Sequence, residues 1–313
     1  MTENGKVSAI VPVSERYDNS GSLAREYLAA LKDTAKDFEL VFVLDGKHAD
    51  LGERLLEIAR EDARLRIIQL ARGFGEATAL SAGIENTEGG TVLTLPAYHQ
   101  VEPAELGTLL SELDRCDMAV AARWPRAAAS KFEVTRRNAF HWFVRKVSGI
   151  SFTDLGCGAR AFTRDVANEV PIYGDQHRFL PLLAMRRGFR VREVRVRQSE
   201  KDRFDHGYGA KTYLQRFLDI FTVVFLVRFT KKPLRFFGMI GSMTFLLGAV
   251  FLTYVVIERL FFGAALSDRP ALLLSSLLVV LGLQIFALGL LGELIIFTHA
   301  GELKEYTIEK IVN

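Results

Sequence analysis

The sequence predicts an α/β domain on a mostly parallel sheet, followed by a pair of membrane-crossing helices. Three observations carry this reading. Runs of β-branched and aliphatic residues alternate with stretches of helical period through the first third of the chain, the order that builds a doubly covered parallel sheet. Phe236 to Ile257 and Ala271 to Gly292 are each 22 residues without a charge, enough to cross a hydrocarbon core of roughly 30 Å at about 1.5 Å per residue. The 313 residues are 49% hydrophobic with a mean hydropathy of +0.15, which leaves room for one α/β domain of about 200 residues and a more apolar part.

In chain order, Val7 to Val13 reads as a strand, Leu23 to Leu31 as a helix, and Phe38 to Leu44 as a second strand ending at Asp45-Gly46. A helix over Leu51 to Arg60, a strand over Arg66 to Leu70, a helix over Gly75 to Glu85 and a fourth strand over Thr91 to Leu95 follow. Glu102 to Leu113 reads as a helix, Asp117 to Ala122 as a strand and Val134 to Val147 as a helix. Between Arg186 and Arg235 fourteen arginines and lysines face five acids. Placed just before the first apolar span, this excess suits anionic lipid headgroups. No nucleic-acid-binding fold accompanies it, so nucleic acid is not expected as a partner. Leu214, Phe217, Leu218, Phe221, Phe225 and Phe229 interleave with Arg216, Asp219 and Arg228, the pattern of a helix lying along a membrane surface or of a buried core helix.

Met1 to Lys6 is polar and runs into a short strand, unlike a signal peptide. Lys231, Lys232 and Arg235 flank the first span, whereas the loop Glu258 to Pro270 carries two acids and two bases. The expectation is therefore a multi-pass protein of the cytoplasmic membrane with its large domain in the cytoplasm. The expected boundaries are a domain over 1–208, a juxtamembrane helix over 209–233, a transmembrane hairpin over 234–298 with spans of about 236–257 and 271–297, and a tail over 299–313. Gly238, Gly241, Gly248, Gly282, Gly289 and Gly292 permit close helix contact and suggest a homo-oligomer. Glu293 is an acid near the end of the second span. Cys116 and Cys157 have no metal-ligand spacing and read as buried thiols.

The residues that can carry chemistry gather at strand ends. Asp45 follows a hydrophobic strand, where its carboxylate is a ligand-site group or an ordinary turn residue. Arg72-Gly73-Phe74-Gly75, with Ala79 and Ala82-Gly83 beyond it, suits either a phosphate approaching the backbone or close helix packing. Asp154-Leu155-Gly156-Cys157-Gly158 puts an acid before two glycines, as a general base or as a structural turn. Gln176-His177-Arg178-Phe179-Leu180-Pro181 and Lys211-x-Tyr213, with Arg203 upstream, offer phosphate contacts near the membrane.

Together these motifs, with Val11-Pro12-Val13, resemble family 2 glycosyltransferases, more narrowly the polyprenyl-phosphate and dolichyl-phosphate sugar transferases, and the resemblance covers nearly the whole chain. It implies a GT-A fold, a nucleotide-sugar donor, a polyprenyl-phosphate acceptor and inversion at the sugar. It also implies roles for Asp45, Gln100 and Arg123 on the donor side, for Asp154 as the active-site acid, and for Arg178, Arg203 and Lys211 around the lipid phosphate. Mg²⁺ or Mn²⁺ is expected in the family on an Asp-x-Asp motif. Here Pro96-Ala97-Tyr98-His99-Gln100 stands where that family has Asp-Ala-Asp-Leu-Gln, Leu44-Asp45 replaces paired acids, and Ser14-Glu15-Arg16 replaces Tyr-Asn-Glu.

No metal ligand is therefore assigned. His99 with Glu102 would suit Zn²⁺ better than Mg²⁺, and Arg123 or Arg126 can replace a cation electrostatically. Two readings follow: a membrane glycosyltransferase with an atypical, metal-independent donor site, or an inactive relative that binds lipid phosphate or scaffolds a glycan or envelope pathway.

Overall fold

The computed structural model describes residues 5–14, 16–125, 152–170, 174–202, 233–262 and 270–299, which form two units, an α/β domain and a helical hairpin. The expected helices over 134–147 and 213–229, and the side chains of Arg126, Arg203 and Lys211, lie outside the described residues.

The domain's elements are β1 (Val7–Val13), α1 (Ser22–Thr34), β2 (Phe38–Leu44), α2 (Ala49–Glu61), β3 (Leu65–Gln69), α3 (Glu76–Glu85), β4 (Thr91–Thr94), α4 (Leu106–Glu112), β5 (Met118–Arg123), β6 (Arg160–Thr163), α5 (Arg164–Glu169), α6 (Leu180–Arg186) and β7 (Val191–Val196). They form one seven-stranded sheet in the order β3-β2-β1-β4-β6-β5-β7. Only β6 runs antiparallel to its neighbours, against β4 and β5. The expected mostly parallel sheet is present. Strand order reverses between β1 and β4, and a crevice at the carboxyl ends of strands on either side of such a switch is where open α/β sheets bind ligands.

Both faces are covered. Ala9, Val11 and Val13 of β1 pack with Leu23, Tyr27 and Leu31 of α1 on one side, while Ile10 packs with Ala79, Leu80 and Ile84 of α3 on the other. Gly83 lets α3 lie on β1, because a Cβ there would strike the Ile10 side chain. Close packing is thus what the small residues of α3 serve.

Two strands were not anticipated. Strand β6 has four residues, too short to stand out as a period. Strand β7, Val-Arg-Glu-Val-Arg-Val at the sheet edge, alternates apolar and charged residues and reads in sequence as part of the basic run. The helix expected over Glu102 to Leu113 is a 3₁₀ turn, Pro103–Glu105, leading into α4. Pro103 suits a first turn, where its missing N–H costs nothing.

Helices α7 (Pro233–Phe262) and α8 (Pro270–His299) pack on each other, and both are long and apolar enough to cross a membrane. Their outward side chains, such as Leu246, Phe251, Leu273 and Leu283, are exposed, which a soluble core helix would not tolerate over this length. All six glycines expected to serve oligomerisation face the other helix of the same hairpin: Gly241 and Gly238 meet Phe286, Gly248 meets Val279, Gly282 meets Phe245, Gly289 meets Phe237 and Gly292 meets Pro233. These glycines thus let the two helices of the hairpin approach closely. Glu293 accepts the Leu234 amide N–H at 3.3 Å, a bond between the two helices.

Candidate active site

The ends of β1, β4, β5 and β7 and the turn entering β6 meet at the carboxyl edge of the sheet. Their central feature is an ion network. Arg123, the last residue of β5, directs Nε to Asp154 Oδ2 at 2.6 Å and Nη2 to Asp154 Oδ1 at 3.0 Å, and its Nη1 reaches Asp202 Oδ2 at 3.2 Å. Asp202 also accepts Arg16 Nη2 at 3.1 Å and Gln198 Nε2 at 2.8 Å. Arg123 and Asp154 are buried. Burial works against the Arg123 charge, but the Asp154 and Asp202 carboxylates outweigh it and hold the guanidinium charged. The forked geometry is the strong form of this pair.

Asp154 is fixed from the other side too. Its amide and that of Thr153 donate to the Glu193 carboxylate, at 2.9 and 2.8 Å. Three residues on, burial pushes the Cys157 thiol up to about 11, so it stays protonated and inert. Arg160, at the start of β6, is buried and donates to the carbonyls of His177, Leu155 and Arg178. Burial pushes it down to about 10, still charged at neutral pH.

The stretch after β4 is built from packing and neutral hydrogen bonds. The Tyr27 hydroxyl donates to the Pro96 carbonyl at 3.0 Å. Gln100, buried, accepts the Gly158 amide at 2.7 Å and donates to the Gly156 carbonyl at 3.3 Å and to the Tyr98 hydroxyl at 2.7 Å. It pins the 96–100 turn to the 154–158 turn. The Arg16 guanidinium lies over the Tyr98 ring, 3.7 Å from its centroid. His99 pairs with Glu26 at 3.1 Å, and Glu26 also holds Lys201 at 2.8 Å.

Asp45 accepts the backbone N–H groups of Phe74 and Gly75 at 2.6 and 2.9 Å. The glycine-containing loop thus presents these amides to a carboxylate of its own chain. Gly46 (φ 97°) and Gly75 (φ 98°) take backbone conformations that only glycine adopts readily. Burial would raise the Glu76 carboxyl, but a hydrogen bond from His177, together with the charges of Arg178, exposed beside α3, and of Arg160, holds it below its usual range.

Of the residues singled out in sequence, Gln100, Arg123 and Asp154 come together, Asp45 and Arg178 sit at the margins, and Arg203 and Lys211 fall outside the described residues. Sequence reading missed Asp202, Arg160 and the pairing of Arg16 with Tyr98. Arg16 carried a signal, since it stands in one of the places where this chain departs from the pattern of the family it resembles.

A divalent cation would need hard oxygen ligands here. Residues 96–98 carry no carboxylate, Asp45 is turned to the 72–75 loop, and among the described residues no three His, Cys, Asp or Glu side chains gather as a metal site. Among the described residues the donor set does not fit Mg²⁺ or Mn²⁺.

A doubly covered, mostly parallel sheet with its polar groups collected at the switch point is the nucleotide-sugar-transferase type of fold, GT-A. The glucosyl-3-phosphoglycerate synthase of Mycobacterium tuberculosis, solved with uridine diphosphate, shares it with a TM-score of 0.51 and 15% identity over 71% of this chain and 79% of that one. The chain belongs to glycosyl transferase family 2, whose family model matches residues 8–170. It is 25% identical to the dodecaprenyl-phosphate galacturonate synthase of Rhizobium johnstonii over 299 residues, 94% of this chain and 88% of that one. It is 28% identical to the undecaprenyl-phosphate 4-deoxy-4-formamido-L-arabinose transferase of Proteus mirabilis over 311 residues, 98% and 94% of the two chains.

Proposed function

We propose that the protein is an inner-membrane glycosyltransferase that moves a sugar from a nucleotide sugar onto the phosphate of a polyprenyl phosphate, with a donor site that works without a divalent cation. The carrying observation is end-to-end similarity: the relatives named for transfer to dodecaprenyl and undecaprenyl phosphate align along 94% and 98% of this chain, hairpin included. The inactive, scaffolding alternative finds no support in those relatives. The basic flank Lys231, Lys232 and Arg235 favours a cytoplasmic domain.

In this reading a phosphate oxygen of the acceptor attacks the anomeric carbon from the face opposite the leaving group. The new C–O bond forms as the bond to the nucleoside diphosphate breaks, with inversion. A phosphomonoester carries a charge of about −1.5 to −2 at neutral pH, so its oxygen needs no base. The structure suits this: both Asp154 oxygens are engaged by Arg123, which makes Asp154 a positioning group for the buried arginine. Gln100 fixes the turn against which the donor lies, and Arg178, Arg203 and Lys211 are assigned to the lipid phosphate.

Purified protein in detergent, given undecaprenyl phosphate and a panel of UDP- and GDP-sugars, should convert the lipid to a glycosyl phosphate detected by mass. A folded sample that yields none with any donor would sink the proposal. Lys211→Ala should weaken polyprenyl-phosphate binding about tenfold; unchanged affinity removes Lys211 from the acceptor site.

A further inference from the structure

Around Arg178 the structure holds a junction that sugar transfer alone leaves without a task. The 3₁₀ turn Gly174–Phe179 packs against α3 and leads into α6. Within it His177 and Phe179 are buried, at 6% and 5% exposed, while Arg178 between them is exposed. The two buried neighbours leave the arginine on the outside, and among the described residues its guanidinium has no hydrogen-bond partner.

The turn is gripped from two directions. Arg160, buried at the start of β6, donates through Nη1 to the carbonyl of His177 and through Nη2 to that of Arg178, which fixes the backbone. The His177 ring is held by its edge, with Nε2 3.4 Å from Oε2 of Glu76 in the first turn of α3. The Glu76 carboxyl, below its usual range, is ionised at neutral pH and can only accept, so Nε2 carries the proton. The start of α3 is itself anchored, since Asp45 takes the Phe74 and Gly75 amides just before Glu76.

Packing alone does not account for a histidine here. His177 Nδ1 and Arg160 Nε are buried without a hydrogen-bond partner among the described residues, and buried polar atoms left unpaired are uncommon and costly. An apolar side chain would fill the space without that cost. What the imidazole adds is one directional bond to Glu76, and that bond fixes the residue next to Arg178.

We propose that His177, held by Glu76, is a positioning residue that sets Arg178 for the phosphate of the polyprenyl acceptor. A guanidinium binds phosphate through a planar fork whose strength depends on its orientation, so loosening the turn weakens acceptor binding and spares the transfer step. The inference rests on the reading of the protein as a polyprenyl-phosphate glycosyltransferase with Arg178 at the lipid phosphate, and the experiment separates the two.

Full-length protein in detergent is assayed for transfer from a panel of UDP- and GDP-sugars, with undecaprenyl phosphate and then the nucleotide sugar varied, alongside thermal unfolding. Arg178→Ala should raise the undecaprenyl-phosphate KM about tenfold or more. His177→Ala and Glu76→Ala should each raise it about fivefold with kcat within about twofold of wild type, the split expected when binding alone is lost. His177→Gln, whose amide still donates to Glu76, should return that KM to within about twofold of wild type. In an Arg178→Ala background His177→Ala should add less than about twofold, because a residue that acts through another has no effect once that one is gone. Glu76 is half-buried, and its variant decides the question if His177→Ala does not fold. A wild-type acceptor KM in either folded alanine variant, a loss confined to kcat, or effects that multiply with those of Arg178→Ala overturn the positioning role and leave the transfer reading intact. A wild-type acceptor KM in Arg178→Ala removes Arg178 from the acceptor site, and the inference with it, while transfer stands. No transfer by folded wild-type protein with any donor overturns the transfer reading, and the inference falls with it.

Discussion

At the scale of single residues, the Arg123–Asp154 pair decides most. Both side chains are buried, and each is costly alone. Asp154→Ala should destabilise the domain by about 3–5 kcal/mol by leaving Arg123 buried and less fully paired, whereas Asp154→Leu with Arg123→Met should recover most of that loss and remain inactive. Thermal unfolding alongside transfer activity checks this; equal stability of Asp154→Ala and wild type would show that the pair carries no such energy. The sequence singled out both residues, yet placed them on different tasks, because 31 positions separate them and nothing local says that a turn aspartate will meet a strand-end arginine. Asp45 shows the limit from the other direction. Its place at a strand end was legible, but its partners, the Phe74 and Gly75 amides, depend on how the loop after β3 folds back.

At the scale of elements, runs of buried apolar residues made β1, β2, β4 and β5 readable, and charge-free length made the two long helices readable. The same reading failed at β6 and β7, where four residues or an arginine-rich edge give no such signal. The glycines of the hairpin were read as a contact surface, correctly in kind, but a sequence does not say which helix a small face meets. Gly241 lies so close to α8 that a Cβ would sit 2.6 Å from the Phe286 amide nitrogen. Gly241→Leu should therefore force α7 and α8 apart; a cysteine pair engineered across the wild-type hairpin should crosslink and fail to do so in this variant. Unchanged crosslinking would mean that the helices do not pack along this stripe.

At the scale of the whole molecule, the sheet separates stability from chemistry by its two edges. Opposite the site, near the start of β2, Glu39 is buried with Ser8, Arg66 and Lys6 at 2.8, 2.6 and 3.2 Å. Burial alone would raise its carboxyl, but these three partners hold it below its usual value of 4.5. Its contribution to stability is therefore complete above about pH 4.5 and is lost as pH falls through the lower folded value. Glu39→Gln should be less stable than wild type at neutral pH and lose less on acidification, so that the two melting curves converge; parallel pH dependence would contradict this.

The fold was legible from alternation and span length, and the acceptor-side motifs from the family resemblance. The donor side was legible only as an absence, because an arginine after β1 and a tyrosine after β4 acquire meaning when the switch point brings them together. The most direct measurement is sugar transfer by the purified protein onto undecaprenyl phosphate with all divalent cations chelated, followed by the mass of the lipid product. The expected result is one added glycosyl residue, at a rate that Mn²⁺ does not raise. A lipid unchanged with every donor, with and without Mn²⁺, would contradict the assignment.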